Sequence, residues 1–130
     1  MTILGIDYGS KRVGTALSDT GEVLAFPHEI FENQKNLTER IKELAIEKKV
    51  RMIVLGRSNN SQGAENPIME DIKTFKAKLE ASVGLPVMFQ DEYFSSEEAR
   101  RYQGNKEYID ASAAALILQR FLDTMRAQNV

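Results

Sequence analysis

Ile3-Leu4-Gly5-Ile6 runs without polar relief and stops abruptly at Asp7. A half-solvated strand alternates apolar and polar residues, whereas an unbroken apolar run belongs to a strand covered on both faces. Residues 2–7 therefore read as a central strand, and a central strand requires further strands beside it and helices above and below. Asp7 then stands at its carboxyl end, followed at once by Gly9 and the cations Lys11 and Arg12.

The rest of the chain supplies those neighbours. Val13 to Ser18 alternates, with Val13, Thr15 and Leu17 on one face. Asp19-Thr20-Gly21 is a turn signal, and Glu22 to Phe26 reads as a third strand closed by Pro27. Asn36-Leu37-Thr38-Glu39 has the form of a capping box, and Leu37, Ile41, Leu44 and Ala45 then recur at helical spacing. Val50 to Leu55 is an apolar strand ending at Gly56. A polar loop covers 57–66, with Gly63 as a hinge. Pro67 opens a second helix whose stripe is Ile68, Ile72, Phe75 and Leu79. Leu85 to Gln90 is the fifth strand, ending in Asp91-Glu92. Ser95 to Tyr102 reads as a short helix, Gly104-Asn105-Lys106 as a break, and Ile109 to Met125 as a last helix.

Short connections make the first three strands an antiparallel meander, and the helical crossovers make strands 1, 4 and 5 parallel. Right-handed crossovers give the spatial order 3-2-1-4-5. The expected fold is thus α/β and RNase H-like: one domain over residues 1–130, a five-stranded mixed sheet flanked by helices on both faces. In open α/β sheets, ligands bind beyond the carboxyl ends of the strands.

Composition narrows the chemistry available there. The 130 residues include no cysteine and one histidine, His28. Disulfides, thiol catalysis and Cys-ligated zinc are excluded, and a histidine cage or triad is disfavoured. Catalysis has to run on carboxylates, hydroxyls, Lys and Arg. No run approaches the ~18 apolar residues of a membrane span, and the start lacks the basic segment of a signal peptide. A cytoplasmic protein is expected. The net charge of −2 argues against a strongly basic nucleic-acid binder, yet it leaves room for an acidic metal cluster beside a local basic patch.

Three groups of acids converge on one sheet edge. Asp7 ends strand 1, and Asp91-Glu92 ends strand 5. Strand 4 lies between, so their backbones are ~10 Å apart, a gap that inward side chains and one or two cations can close. Asp110 shares a face of the last helix with Ala113, Ala114, Ile117 and Phe121; small alanines let that helix approach the sheet. Each acid has a plainer use: Asp7 in an Asx-turn, Asp110 at a helix start, Asp91-Glu92 in a solvated loop. Held together, they repel one another unless a cation sits among them. Lys11 and Arg12 overlook the same edge as phosphate contacts, or form a solvated hairpin tip. Arg57 and the Arg100-Arg101 pair are weaker candidates for phosphate contacts, of a kind more often surface charges than ligands. Ser95 and Ser96 suit helix caps first and substrate contacts second.

The stretch Gly5-Ile-Asp-Tyr-Gly-Ser-Lys-Arg-Val-Gly-Thr-Ala-Leu-Ser-Asp19 resembles the opening motif of the YqgF/RuvX family, and Ile109-Asp-Ala-Ser-Ala-Ala-Ala-Leu-Ile-Leu-Gln119 resembles its closing helix. That family comprises pre-16S rRNA nucleases related to Holliday-junction resolvases of the RNase H-like superfamily. The resemblance implies that Asp7, Glu92 and Asp110 bind Mg2+ or Mn2+; Asp91, beside Glu92, is placed to orient the cluster from behind. It also implies that the substrate is nucleic acid, precursor rRNA or alternatively branched DNA; the residues themselves offer Lys11, Arg12, Arg57, Ser95 and Ser96 to grip it. A monomer or weak homodimer is expected. Two stretches depart from the family pattern. Asp91-Glu92-Tyr93-Phe94 carries a tyrosine where the family usually has arginine, and Gly56-Arg57-Ser58 replaces its usual Gly-Leu-Pro. Arg57 and Lys106 are the cations available to compensate. Two readings of other classes compete: one lobe of a sugar-kinase or actin-like ATPase, which needs a second such domain, and a non-catalytic RNA-binding module.

Overall fold

A computed structural model describes residues 1–58, 66–91 and 106–128; in the last segment it describes side chains from residue 113 onward. Five strands form one sheet: β1 (Thr2–Tyr8), β2 (Arg12–Ser18), β3 (Ala25–Glu32), β4 (Val50–Arg57) and β5 (Val87–Asp91). Among the described residues three helices accompany them: α1 (Leu37–Glu47), α2 (Met69–Val83) and α3 (Lys106–Gln128). The strand order is β3-β2-β1-β4-β5. The β1–β2 and β2–β3 pairs are antiparallel, and β1–β4 and β4–β5 are parallel. This is the expected order, with β1 at the centre.

The unbroken apolar run of β1 divides between two cores, as its burial requires. Leu4 and Ile6 join Ile41, Leu44, Ile53, Leu55, Ile72 and Leu79 beneath α1 and α2. Ile3 points the other way, with Ala16, Val54, Ala114, Ile117, Leu118 and Leu122 beneath α3. Gly5 is what lets α3 come so close. A Cβ there would lie 2.7 Å from Leu118 Cβ and 3.1 Å from the Ala114 carbonyl oxygen.

Several boundaries differ from the sequence-based expectations, each for a physical reason. The third strand is not Glu22–Phe26 but Ala25–Glu32, and it runs through Pro27. Proline lacks an N–H, but β3 is an edge strand, where one side needs no ladder bond. Residues 22–24 are drawn into the turn instead. Asp19 Oδ1 accepts the Val23 and Leu24 N–H groups at 2.7 and 3.1 Å. The capping box does not form: Asn36 sits at the N-cap of α1 without a side-chain cap bond. Pro67 lies in the turn before α2, not in its first turn. The last helix is longer than Ile109–Met125, beginning at Lys106 and ending at Gln128. The expected helix over 95–102 lies outside the described residues. Among the described residues, no helix is long and apolar enough to cross a membrane.

Candidate active site

Side chains alternate along β1, so the two cores determine where Asp7 points. Leu4, Ile6 and Tyr8 face α1 and α2, while Ile3 and Gly5 face α3. Asp7 therefore belongs to the α3 face, half-buried at the carboxyl end of the central strand. Its antiparallel partner is Gly14, which leaves no side chain beside the carboxylate on that flank. The sequence reading did not single out Gly14; its place opposite Asp7 emerges only from the strand register.

The helix α3 brings Asp110 toward this edge. Gln119 Oε1 accepts the Ala25 N–H, and Gln119 Nε2 donates to the Val23 carbonyl, both at 2.9 Å. Ala25 pairs with Ser18, whose hydroxyl takes the Ile3 N–H at 2.8 Å, so Gln119 marks the amino end of β1. Ala114, nearer the helix start, lies against Gly5. Followed backward, α3 runs toward the carboxyl end of β1, and Asp110 falls one turn before Ala114. Glu92, Ser95, Ser96, Arg100 and Arg101 lie outside the described residues.

Asp91 is oriented differently. Arg57 Nε donates to Asp91 Oδ1 at 2.8 Å, and the Arg57 guanidinium lies 5.9 Å from the centre of the Phe89 ring. Phe89 packs on the α1/α2 core, so the Arg57–Asp91 pair occupies the sheet face opposite Asp7. The structure thus engages Arg57 with a carboxylate of the neighbouring strand.

The hairpin that carries the expected phosphate contacts is tightly built. A Cβ on Gly9 would stand 2.5 Å from the Arg12 carbonyl oxygen, so the turn admits only glycine there. Asn33, just past β3, clamps the hairpin from outside. Its side-chain amide donates to the Gly9 carbonyl at 2.8 Å, and its backbone N–H donates to the Lys11 carbonyl at 2.9 Å. Lys11 is exposed at the tip. Arg12 opens β2 opposite Glu32, on the same face as Gly14 and Asp7 by alternation. Asn33 carried no signal in the sequence, because its role depends on a contact between separate turns.

Among the described residues, no group of three metal-binding side chains is assembled; Glu92 and the Asp110 side chain are not among them. The donors at this edge are carboxylate oxygens, which suit magnesium or manganese rather than softer metals. Asp7 supplies one such carboxylate, half-buried and flanked on the β2 side by Gly14.

The strand order, with an aspartate ending the central strand beneath a closing helix, defines an RNase H-like domain. The fold comparisons agree. Thermus thermophilus RuvC in complex with a Holliday junction substrate superposes with a TM-score of 0.63, at 13% identity, over 97% of this chain and 96% of that one. The fowlpox virus resolvase in its Holliday junction DNA complex gives 0.60, at 10% identity, over 96% and 99%. Residues 1–124 match the RuvX family, described as Holliday junction resolvase, and the chain belongs to that family. A Listeria monocytogenes relative named "Putative pre-16S rRNA nuclease" is 39% identical over 136 aligned positions, covering 95% of this chain and 99% of its own. That alignment is longer than the 130-residue chain, so the relative carries residues that this chain lacks.

Proposed function

We propose that the protein is a divalent-metal-dependent nuclease that hydrolyses phosphodiester bonds in the precursor of 16S rRNA. The observation that carries this reading is Asp7: a half-buried carboxylate at the end of the central strand, facing α3 and flanked by Gly14. Family membership supports the nuclease class, and the names of the 37–39% identical relatives support the rRNA substrate.

In this reading Asp7, Glu92 and Asp110 hold the ions with their carboxylate oxygens. Magnesium bound there would supply an acidified water and neutralise charge on the leaving oxygen. Lys11 and Arg12 hold the phosphates that flank the cut, and Asn33 keeps their hairpin in place. Water adds its oxygen to phosphorus, the bond to the leaving oxygen breaks, and that oxygen departs with a proton. Asp91, held by Arg57, steadies the end of β5 from which Glu92 follows.

The test incubates purified protein with precursor-like RNA and with a four-way DNA junction, each with magnesium, manganese or EDTA. RNA should be cut with either metal and not with EDTA. Asp7→Asn should slow cleavage ~10³-fold or more, equivalent to about 4 kcal/mol of transition-state stabilisation. Cleavage that survives EDTA or Asp7→Asn would sink the metal mechanism. The family description favours one second reading, a Holliday junction resolvase; cutting of the junction alone would establish it over the RNA reading.

A further inference from the structure

On the face of the sheet away from Asp7, but at the same edge, a cleft of about 200 Å3 opens between α1 and α2. Tyr8, the residue after Asp7, forms part of its floor, its ring tilted by 38° against that of Phe75 with ring centres 4.9 Å apart. Asn33, which clamps the Gly9–Lys11 hairpin, forms part of its wall. The cleft is therefore continuous with the proposed active-site edge through two adjacent structural members.

Its charge is also distinctive. Lys35 and Lys78 line it, both exposed, and neither has an ion-pair partner among the described residues. Asp71 is the carboxylate in the lining, and it pairs with neither lysine. A second groove, lined by His28, Glu29, Arg40, Glu43, Glu47 and Lys48, makes an instructive contrast. There Arg40 lies 3.9 Å from Glu29, and Lys48 lies 4.0 Å from Glu47. Those cations have a carboxylate within reach; Lys35 and Lys78, with none among the described residues, are placed for an anion from outside.

We propose that the phosphodiester backbone of the substrate strand passes over Tyr8 from the Asp7 edge and lies in this cleft, its phosphates held by Lys35 and Lys78. The inference rests on the nuclease reading and extends that site's footprint around the sheet edge onto the α1–α2 face. Contacts of this kind fix the strand's register without reading its sequence.

Binding is measured by fluorescence anisotropy in an Asp7→Asn background, so that the strand stays intact. The ligands are single-stranded RNA and DNA of about twelve nucleotides, within the ~4–16 nucleotides that a single-strand-binding OB fold covers, and a dinucleotide. Loss of two phosphate contacts should lower the slope of log affinity against log salt by ~1.4 and weaken binding on the order of tenfold. Lys35→Gln/Lys78→Gln should show both effects on the long strands and neither on the dinucleotide, whose single phosphodiester cannot engage the Asp7 edge and both lysines at once. Asp71→Asn should tighten binding of the long strands. Lys48→Gln/Lys49→Gln removes the same charge at the far end of α1 and should leave the slope unchanged. If the two double variants behave alike, or if the dinucleotide is equally affected, the cleft proposal is overturned. A wild-type protein that cleaves nothing would instead defeat the nuclease reading, whatever the anisotropy shows. Equal effects on RNA and DNA indicate recognition of phosphate alone, and an RNA-only effect indicates that the cleft also takes the 2′-hydroxyl; either supports the proposal.

Discussion

The strand β4 carries an arginine near each end, and the two arginines do different things. Arg51, at the amino end, grips Glu22 of the β2–β3 turn in a two-pronged contact, Nε to Oε2 at 2.5 Å and Nη2 to Oε1 at 2.6 Å. Arg57, at the carboxyl end, meets Asp91 across to β5, beside the edge where Asp7 waits. The amino edge is fastened throughout: Glu22 to Arg51, Asp19 to its own turn, Gln119 to the backbone of Val23 and Ala25, and Thr2 Oγ1 to the Lys48 carbonyl. The carboxyl edge presents the half-buried Asp7, the Lys11 hairpin and a cleft whose Lys35 and Lys78 have no ion-pair partner among the described residues. The amino edge stores stability, and the carboxyl edge keeps the charge of two lysines available for a ligand.

α3 connects these edges, and Gly5 is where it rests. Gly5→Ala would drive a methyl group to within 2.7 Å of Leu118 Cβ and 3.1 Å of a backbone oxygen. Neither can yield without moving the helix. Overpacking of this kind costs ~1–3 kcal/mol. Thermal melts should show that loss, and cleavage per folded molecule should fall as well, since the shifted helix carries Asp110. Full activity in a destabilised Gly5→Ala protein would show that α3 serves the core alone.

Much of this division was legible in the sequence, and the reasons are specific. The run Ile3–Ile6 could only be a strand covered twice, and the crossover rules then ordered the sheet. Asp7 stood out because it ended that run. The fastened edge was harder to read. β3 slid three residues later because Asp19 uses its carboxylate on the turn, and because an edge strand accepts Pro27. Arg51 looks like any surface cation until the register shift between Thr2 and Ile3 is seen. That irregularity puts both Val50 and Ile53 into the same core, with Arg51 and Met52 between them. Asn33, Gly14 and Gln119 act through contacts distant in sequence, where periodicity carries no information. For Glu92, Ser95 and Ser96 the sequence remains the whole basis of their proposed roles.

The two arginines allow the contrast to be broken directly. Arg57→Gln should lower kcat/KM about tenfold, equivalent to ~1.4 kcal/mol, while its melting temperature stays close to wild type, because exposed ion pairs contribute little to stability. Arg51→Gln should do the reverse, lowering stability by ~1 kcal/mol with activity retained. Arg57→Lys, which keeps the charge but not the planar fork, should recover part of the lost activity if Arg57 positions the end of β5. Parallel melts and initial-rate measurements decide the matter. If both arginines affect only stability, the two ends of β4 do not differ in kind.

The smallest effect concerns pH at the fastened edge. Hydrogen bonds from Arg51 hold the Glu22 carboxyl below 4.5, its ordinary value, against an opposing push from partial burial. A depressed carboxyl favours the folded state above its unfolded pKa, and that contribution is lost as the pH falls through the folded value. Glu22→Gln should therefore cost ~0.5–1 kcal/mol at pH 7, the range for a partly exposed pair. The gap between variant and wild type should hold down to about pH 4.5 and close below it, as read from paired denaturation curves. High salt should narrow it as well, because both partners are partly solvated. A gap that stays constant from neutral to strongly acid pH would mean that Glu22 acts through its unusual backbone, with φ at 58°, rather than through its charge. The strength of this edge would then lie in the shape of the turn, and Arg51 would be no more specialised for stability than Arg57.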